Sequence, residues 1–184
     1  NSALEAMTGK PHLSWSQLVT YRSCPRKWFF QYVEQAEPEF VSSALVFGGA
    51  IHSALEQHFE AQLLGIDTTE SDLIDAYQAH WDQDLGNSEI PVRFNKDEST
   101  ESLLDQAQRM LNAFRGSELS SPDGTVVGIE ETFTASIHDE LPPIKARLDL
   151  ITQTDDGLRV IDFKTSRSKW HQSHVQQQRD QLGI

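Results

Sequence analysis

The chain has 184 residues, 38% of them apolar and 23% charged, which supports a hydrophobic core and excludes general disorder; no apolar run approaches the roughly 20 residues of a membrane span. Its formal charge of −13 argues against a nonspecific nucleic-acid coat protein, but the charge is uneven: residues 1–36 and 144–184 each carry +2, and residues 37–143 carry −17. Polyanion contact is therefore expected from the two ends, and the lone Cys24, which excludes an internal disulfide, fits a reducing, cytoplasmic compartment.

Residues 1–12 lack periodicity and begin without Met, so they read as a tag or flexible tail. A helix is expected to start at Ser14, which can cap the free amides, with Gln17 three residues on as a capping-box partner. Pro25 cannot continue that helix but suits the first turn of a new one, Pro25–Val33, basic at its start and aromatic afterwards. Trp28, Phe29 and Tyr32 at helical spacing read as core rather than as base-stacking groups.

A long helix over residues 43–64 follows from Leu45, Ile51, Leu55, Phe59 and Leu63, with Gly65 at its end. Two more are marked by Leu73, Ile74, Tyr77, Trp81 and Leu85 before Gly86, and by Leu103, Leu104, Ala107, Leu111 and Phe114 before Gly116. The connection from Gly86 to Thr100 reads as a mobile polar loop. From Thr125 the texture becomes β-branched and broken by turns, predicting strands over 125–137, 144–153 and 158–165. The polar stretch from Gln172 to Leu182 reads as helical, and the uncapped stop at Ile184 suggests a native chain that continues.

The hairpin carries the chemistry. With a loop from Thr154 to Gly157, Asp149 falls opposite Asp162; with an Asp156-Gly157 loop it falls opposite Lys164. Either way strand alternation puts Asp149, Asp162 and Lys164 on one face. Such a cluster beside a sheet core needs a partner, since buried charge is costly. Two readings stand on spacing alone: hard oxygen ligands for Mg²⁺ or Mn²⁺ with Lys164 beside a bound water, or an Asp162–Lys164 salt bridge with Asp149 near it.

Asp149, followed thirteen residues later by Asp162-Phe163-Lys164-Thr165, resembles the D…(D/E)-x-K core of the PD-(D/E)XK nuclease superfamily. Leu13-Ser14-Trp15-Ser16-Gln17-Leu18, then Tyr21-Arg22-Ser23-Cys24-Pro25, resembles the opening segment of its RecB-like exonuclease branch. Phe47-Gly48-Gly49-Ala50-Ile51-His52-Ser53-Ala54-Leu55-Glu56 resembles that branch's G…H..LE helix. These segments span residues 13–184 in the family's order.

The resemblance implies an α/β, restriction-endonuclease-like core: a small mixed, mainly antiparallel central sheet flanked by helices, with its C-terminal part truncated. Residues 13–116 would be the helical part and residues 125–184 the sheet core of one nuclease domain. It further implies a metal-dependent DNA exonuclease of recombination or repair, with Mg²⁺ or Mn²⁺ on His52, Asp149 and Asp162 and Lys164 as the catalytic lysine. His52 by itself, at the edge of an apolar stripe, is also compatible with a plain packing role.

Gln181 is the counterpart of the branch's helical glutamine, whose partner tyrosine would fall just beyond Ile184. Glu130 and Glu131 resemble an additional strand acid, but a one-residue register decides which faces the site, and neither is chosen. Cys24 corresponds to the first of four iron–sulfur ligands in many relatives; a cluster needs further thiolates, which only a longer chain would supply. Arg22, Arg26, Lys27, Arg167 and Lys169 are candidate phosphate contacts. The implied partners are DNA and a helicase domain or subunit. The rival reading is a catalytically inactive DNA-binding module that acts as a helicase's structural partner.

Overall fold

A computed structural model describes residues 3–87 and 89–165, which fall into two compact units. The fold is α/β, with a mixed sheet flanked by helices, as a restriction-endonuclease-like core requires.

The first unit draws on residues 1–37, 132–147 and the chain from Lys164 onward. Within the segment read as a tail, Ala3–Thr8 form a short helix, α1, and Thr8 is buried. β1 (Leu13–Ser14) pairs in parallel with the start of β5 (Ile144–Thr154), Leu13 against Ile144 and Ser14 against Lys145. Helix α2 (Trp15–Ser23) begins where expected, because the Ser14 hydroxyl accepts the N–H of Gln17 at 3.3 Å. The Gln17 side chain does not complete a capping box; it is buried and donates to the carbonyl of His12 at 3.4 Å.

Pro25 opens α3 (Pro25–Trp28), with Cys24 as its N-cap, and the chain then continues as a π-helical turn over Phe29–Val33 rather than as one α-helix. Trp28 packs edge-on against Tyr21 at 5.5 Å and lies 6.1 Å from Tyr32. Trp28 and Tyr32 are half-buried, whereas Phe29, read above as core, is exposed.

The second unit comprises residues 38–131 and 148–163. Its framework is α4 (Ser43–Leu63), α5 (Glu70–Asn87) and α6 (Thr100–Arg115). Gly65, at φ +72°, ends α4: its N–H reaches the carbonyl of Gln62 and the N–H of Ile66 that of Ala61, both at 2.9 Å. Gly86 does not stop α5, which runs on to Asn87. α6 opens on a reciprocal Ser99–Ser102 capping box.

The core joins Ile51, Leu55 and Phe59 of α4 to Leu73, Tyr77 and Trp81 of α5, to Leu103, Ala107 and Leu111 of α6, and to Leu150 of β5. The buried face of α4 is Val46, Phe47, Ala50, Ile51, Ala54, Leu55 and Phe59, so the expected stripe is rotated: Leu45 and Leu63 are exposed, and small residues line the contact instead. The connection after α5 is anchored rather than mobile. It contributes β3 (Val92–Arg93), parallel to β2 (Val41–Ser42), and Glu98 accepts from Ser43 at 2.8 Å.

In the main sheet β5 lies between β1 and β4 (Thr125–Ala135) and also pairs antiparallel with β6 (Gly157–Ile161). The hairpin register is Gln153 with Leu158 and Thr154 with Gly157, turning on Asp155-Asp156. β6 stops at Ile161, four residues short of the expected Thr165. No helix among the described residues is long and apolar enough to cross a membrane.

Candidate metal centre

The α4 face that buries Ala50, Ile51, Ala54 and Leu55 leaves His52 at the edge of that stripe, 28% exposed. Its Nδ1 lies 3.5 Å from Oε1 of Glu130 and 3.7 Å from Oδ1 of Asp149. The Glu130 and Asp149 side chains are 8% and 11% exposed. One ligand atom from each of the three residues lies within 4.8 Å of the others.

Two strands and a helix deliver this trio. Asp149 sits on β5 directly before the fully buried Leu150, which anchors this part of the strand in the core. Glu130 arrives by a less regular route: in mid-β4 it adopts φ +51°, a left-handed backbone rare for a residue with a long side chain. Beside it, a Cβ at Gly128 would meet Glu131 Cγ at 2.9 Å and Ile151 Cδ1 at 3.1 Å, so a larger residue there would displace those side chains.

The segment after β6 is held by Phe163. Its N–H donates to Oδ2 of Asp149 at 2.6 Å, and its ring stacks on Phe59 at 5.9 Å and meets Phe114 edge-on at 6.1 Å. The observed register is the one that carries Asp149 toward Asp162. The ladder nevertheless ends at Leu150 with Ile161, because the next available N–H goes to the Asp149 carboxylate instead of to a strand carbonyl.

Burial raises the Asp149 pKa above the ordinary aspartate value; the Phe163 N–H and a charged His52 oppose this, and the charges of Asp162 and Glu130 add to it. Two crowded, mostly buried carboxylates thus lie beside one imidazole. The donor set, two hard oxygens and one nitrogen, fits a divalent metal ion, with the second Asp149 oxygen already satisfied by the chain itself.

Of the residues singled out in the sequence, His52 and Asp149 are brought together. Asp162 is half-buried and near enough for its charge to act on Asp149, but it is not one of the trio whose ligand atoms fall within 4.8 Å. Lys164 is exposed and follows Phe163 directly in the chain. Arg22, Arg26, Lys27 and Cys24 are exposed in the first unit. Gln181, Arg167, Lys169 and the expected helix over 172–182 lie outside the described residues.

Glu130 is the member that sequence reasoning did not choose. Val126 and Ile129, of opposite parity, both pack on the core and Glu130 is left-handed, so β4 departs from simple alternation at this point and parity could not select it.

A family model described as the PD-(D/E)XK nuclease superfamily matches residues 12–184. No curated protein and no solved structure matches the chain.

Proposed function

This chain belongs to the PD-(D/E)XK nuclease superfamily, and on that premise we propose that it is a Mg²⁺- or Mn²⁺-dependent deoxyribonuclease of the RecB-like exonuclease branch, acting in DNA recombination or repair. The observation that carries this reading is the convergence of one ligand atom each from His52, Glu130 and Asp149 within 4.8 Å, with the Phe163 N–H holding the second Asp149 oxygen.

In this reading His52, Glu130 and Asp149 hold the ion, with Asp162 beside them. A bound divalent ion supplies Lewis acidity toward the scissile phosphate and lowers the pKa of a bound water. The protein's own contribution is positional. Phe163 fixes one Asp149 oxygen through its N–H, which leaves the other oxygen facing His52. Lys164 Nζ orients the attacking water or offsets the negative charge that grows on the phosphate. Gln181 assists at the same centre. Arg22, Arg26, Lys27, Arg167 and Lys169 take backbone phosphates, contacts that are salt-sensitive and independent of base sequence. A helicase domain or subunit is the proposed partner. An iron–sulfur cluster on Cys24 would need thiolates from outside this sequence, which has one cysteine.

The test is single-turnover cleavage of labelled single- and double-stranded DNA with Mg²⁺, Mn²⁺ or EDTA, comparing the parent with Lys164→Ala and Asp162→Ala. Cleavage is expected only with a divalent ion, and each substitution should lower it by about a hundredfold or more. Equal cleavage by parent and variants overturns the assignment of residues. Binding of DNA without cleavage under any ion returns the protein to the inactive-module reading.

A further inference from the structure

We infer that the exposed surface of α2, α3 and the following π-helical turn grips unpaired DNA strands, with Phe29 and Phe30 stacking on bases while Arg22, Arg26 and Lys27 hold phosphates. The inference rests on the DNA reading above and narrows it to the strandedness of the substrate.

Charge is the first argument. From residue 6 to residue 33 the chain has four basic side chains and no Asp or Glu, in a protein of net charge −13. Arg22, Arg26 and Lys27 are all exposed. The same unit gathers further cations: the His12 pKa is lowered by burial and then by the charges of Lys145 and Lys10. A carboxylate-free cationic strip on an acidic protein is complementary to a polyanion.

The second argument is the aromatic content of the strip. Tyr21 is 53% exposed, Phe29 41% and Phe30 40%. Single exposed apolar residues are ordinary, but here large rings lie on successive helical segments with cations between them. Arg26, Phe29 and Phe30 share one helical face by their spacing, and the Arg26 guanidinium sits 5.6 Å from the Phe30 ring centroid. Phe29 and Phe30 stand edge to face at 6.1 Å. Rings braced in this way offer flat faces to a ligand at little further entropic cost.

Strand preference follows from geometry. In a duplex the base faces are already stacked on one another, so only its phosphates can meet the cations. In a single strand each base has a free face for a ring, while the cations still take phosphates.

The test uses the full chain in EDTA, so that hydrolysis is silent, and reads fluorescence anisotropy of labelled oligo-dT and of a blunt duplex of equal length. Phe29→Ala/Phe30→Ala should weaken oligo-dT binding about tenfold or more and leave the duplex at parent affinity. Phe29→Leu/Phe30→Leu keeps apolar bulk without a π face and should do the same, which separates stacking from misfolding. Lys27→Ala should weaken both ligands and reduce the salt slope by about one.

Unchanged oligo-dT affinity in both double variants overturns the inference, as does an equal loss on the duplex. A parent that self-associates and is released to monomer by the double substitutions, with oligo-dT affinity intact, assigns the patch to contact between copies and also overturns it. A parent that grips oligo-dT through these rings yet cleaves no DNA with Mg²⁺ or Mn²⁺ upholds the inference and removes the nuclease reading. Cleavage by a parent whose double variants bind as it does has the reverse meaning.

Discussion

The main-chain N–H of Phe163 donates to Oδ2 of Asp149 across 2.6 Å. The same residue stacks its ring on Phe59, so the carboxylate of the candidate metal centre is tied to the aromatic core through a single residue. Phe163→Ala should cost about 2–3 kcal/mol in urea unfolding, at or below the usual range for a buried phenylalanine because Phe163 is partly exposed. It should also weaken Mn²⁺ binding by calorimetry, because Asp149 loses its fixed orientation. Phe163→Leu should recover most of both. Full Mn²⁺ affinity in an otherwise destabilised Phe163→Ala would show that the ring serves packing alone.

Adding a divalent ion should stabilise the protein, since only the folded chain assembles His52, Glu130 and Asp149. At a hundredfold excess over the dissociation constant the gain is about 2.7 kcal/mol. For a chain of this length that corresponds to a rise in melting temperature of roughly 5–10 °C. His52→Ala and Glu130→Gln should melt at nearly the same temperature with Mn²⁺ as with EDTA. A full shift in either variant would remove that residue from the ligand set.

Without metal, the raised pKa of Asp149 makes stability fall with pH. Over the interval between the ordinary aspartate value and the raised one, the folded state holds a proton that the unfolded state has released, so rising pH favours unfolding. Stability from this group is therefore present at the acid end and lost as pH climbs through that interval. Asp149→Asn, which can still accept from the Phe163 N–H, should flatten the curve there and be more stable than the parent at neutral pH in EDTA. Urea midpoints measured across the acid range check this; a parent curve that does not fall relative to Asp149→Asn contradicts it.

Glu130 sits at φ +51° in mid-strand, a conformation that costs a residue with a Cβ about 1–2 kcal/mol. In EDTA, Glu130→Gly should therefore exceed Glu130→Ala in stability, a reversal of the usual order within a strand. Thermal melts of the two variants decide it. Both should lose the Mn²⁺ response.

Much of the fold is legible because its signals are local. The Ser14 cap, the break at Pro25, the Gly65 ending of α4 and the Gly116 ending of α6 each depend on a few neighbouring atoms, and each appears where the residue types place it. Longer-range features are less legible. Ser43 is buried because Glu98, 55 residues away, accepts its hydroxyl proton, and that contact turns an apparently free loop into an anchored one. Gly49 reads as one of several small residues until His80 of α5 is found with its Nε2 3.1 Å from where a Cβ would stand.

For the candidate metal centre, the sequence alone determined the residue types and the hairpin parity: Asp149 and Asp162 share a face under any even turn, and His52 lies at the margin of an apolar stripe. Only the tertiary structure decided which acid completes the trio, where β6 ends and which aromatic rings stay outside. Alternation and capping act between neighbours, whereas a left-handed Glu130, an N–H spent on a carboxylate rather than on a ladder, and the exposure of Phe29 and Phe30 depend on what distant segments place beside them.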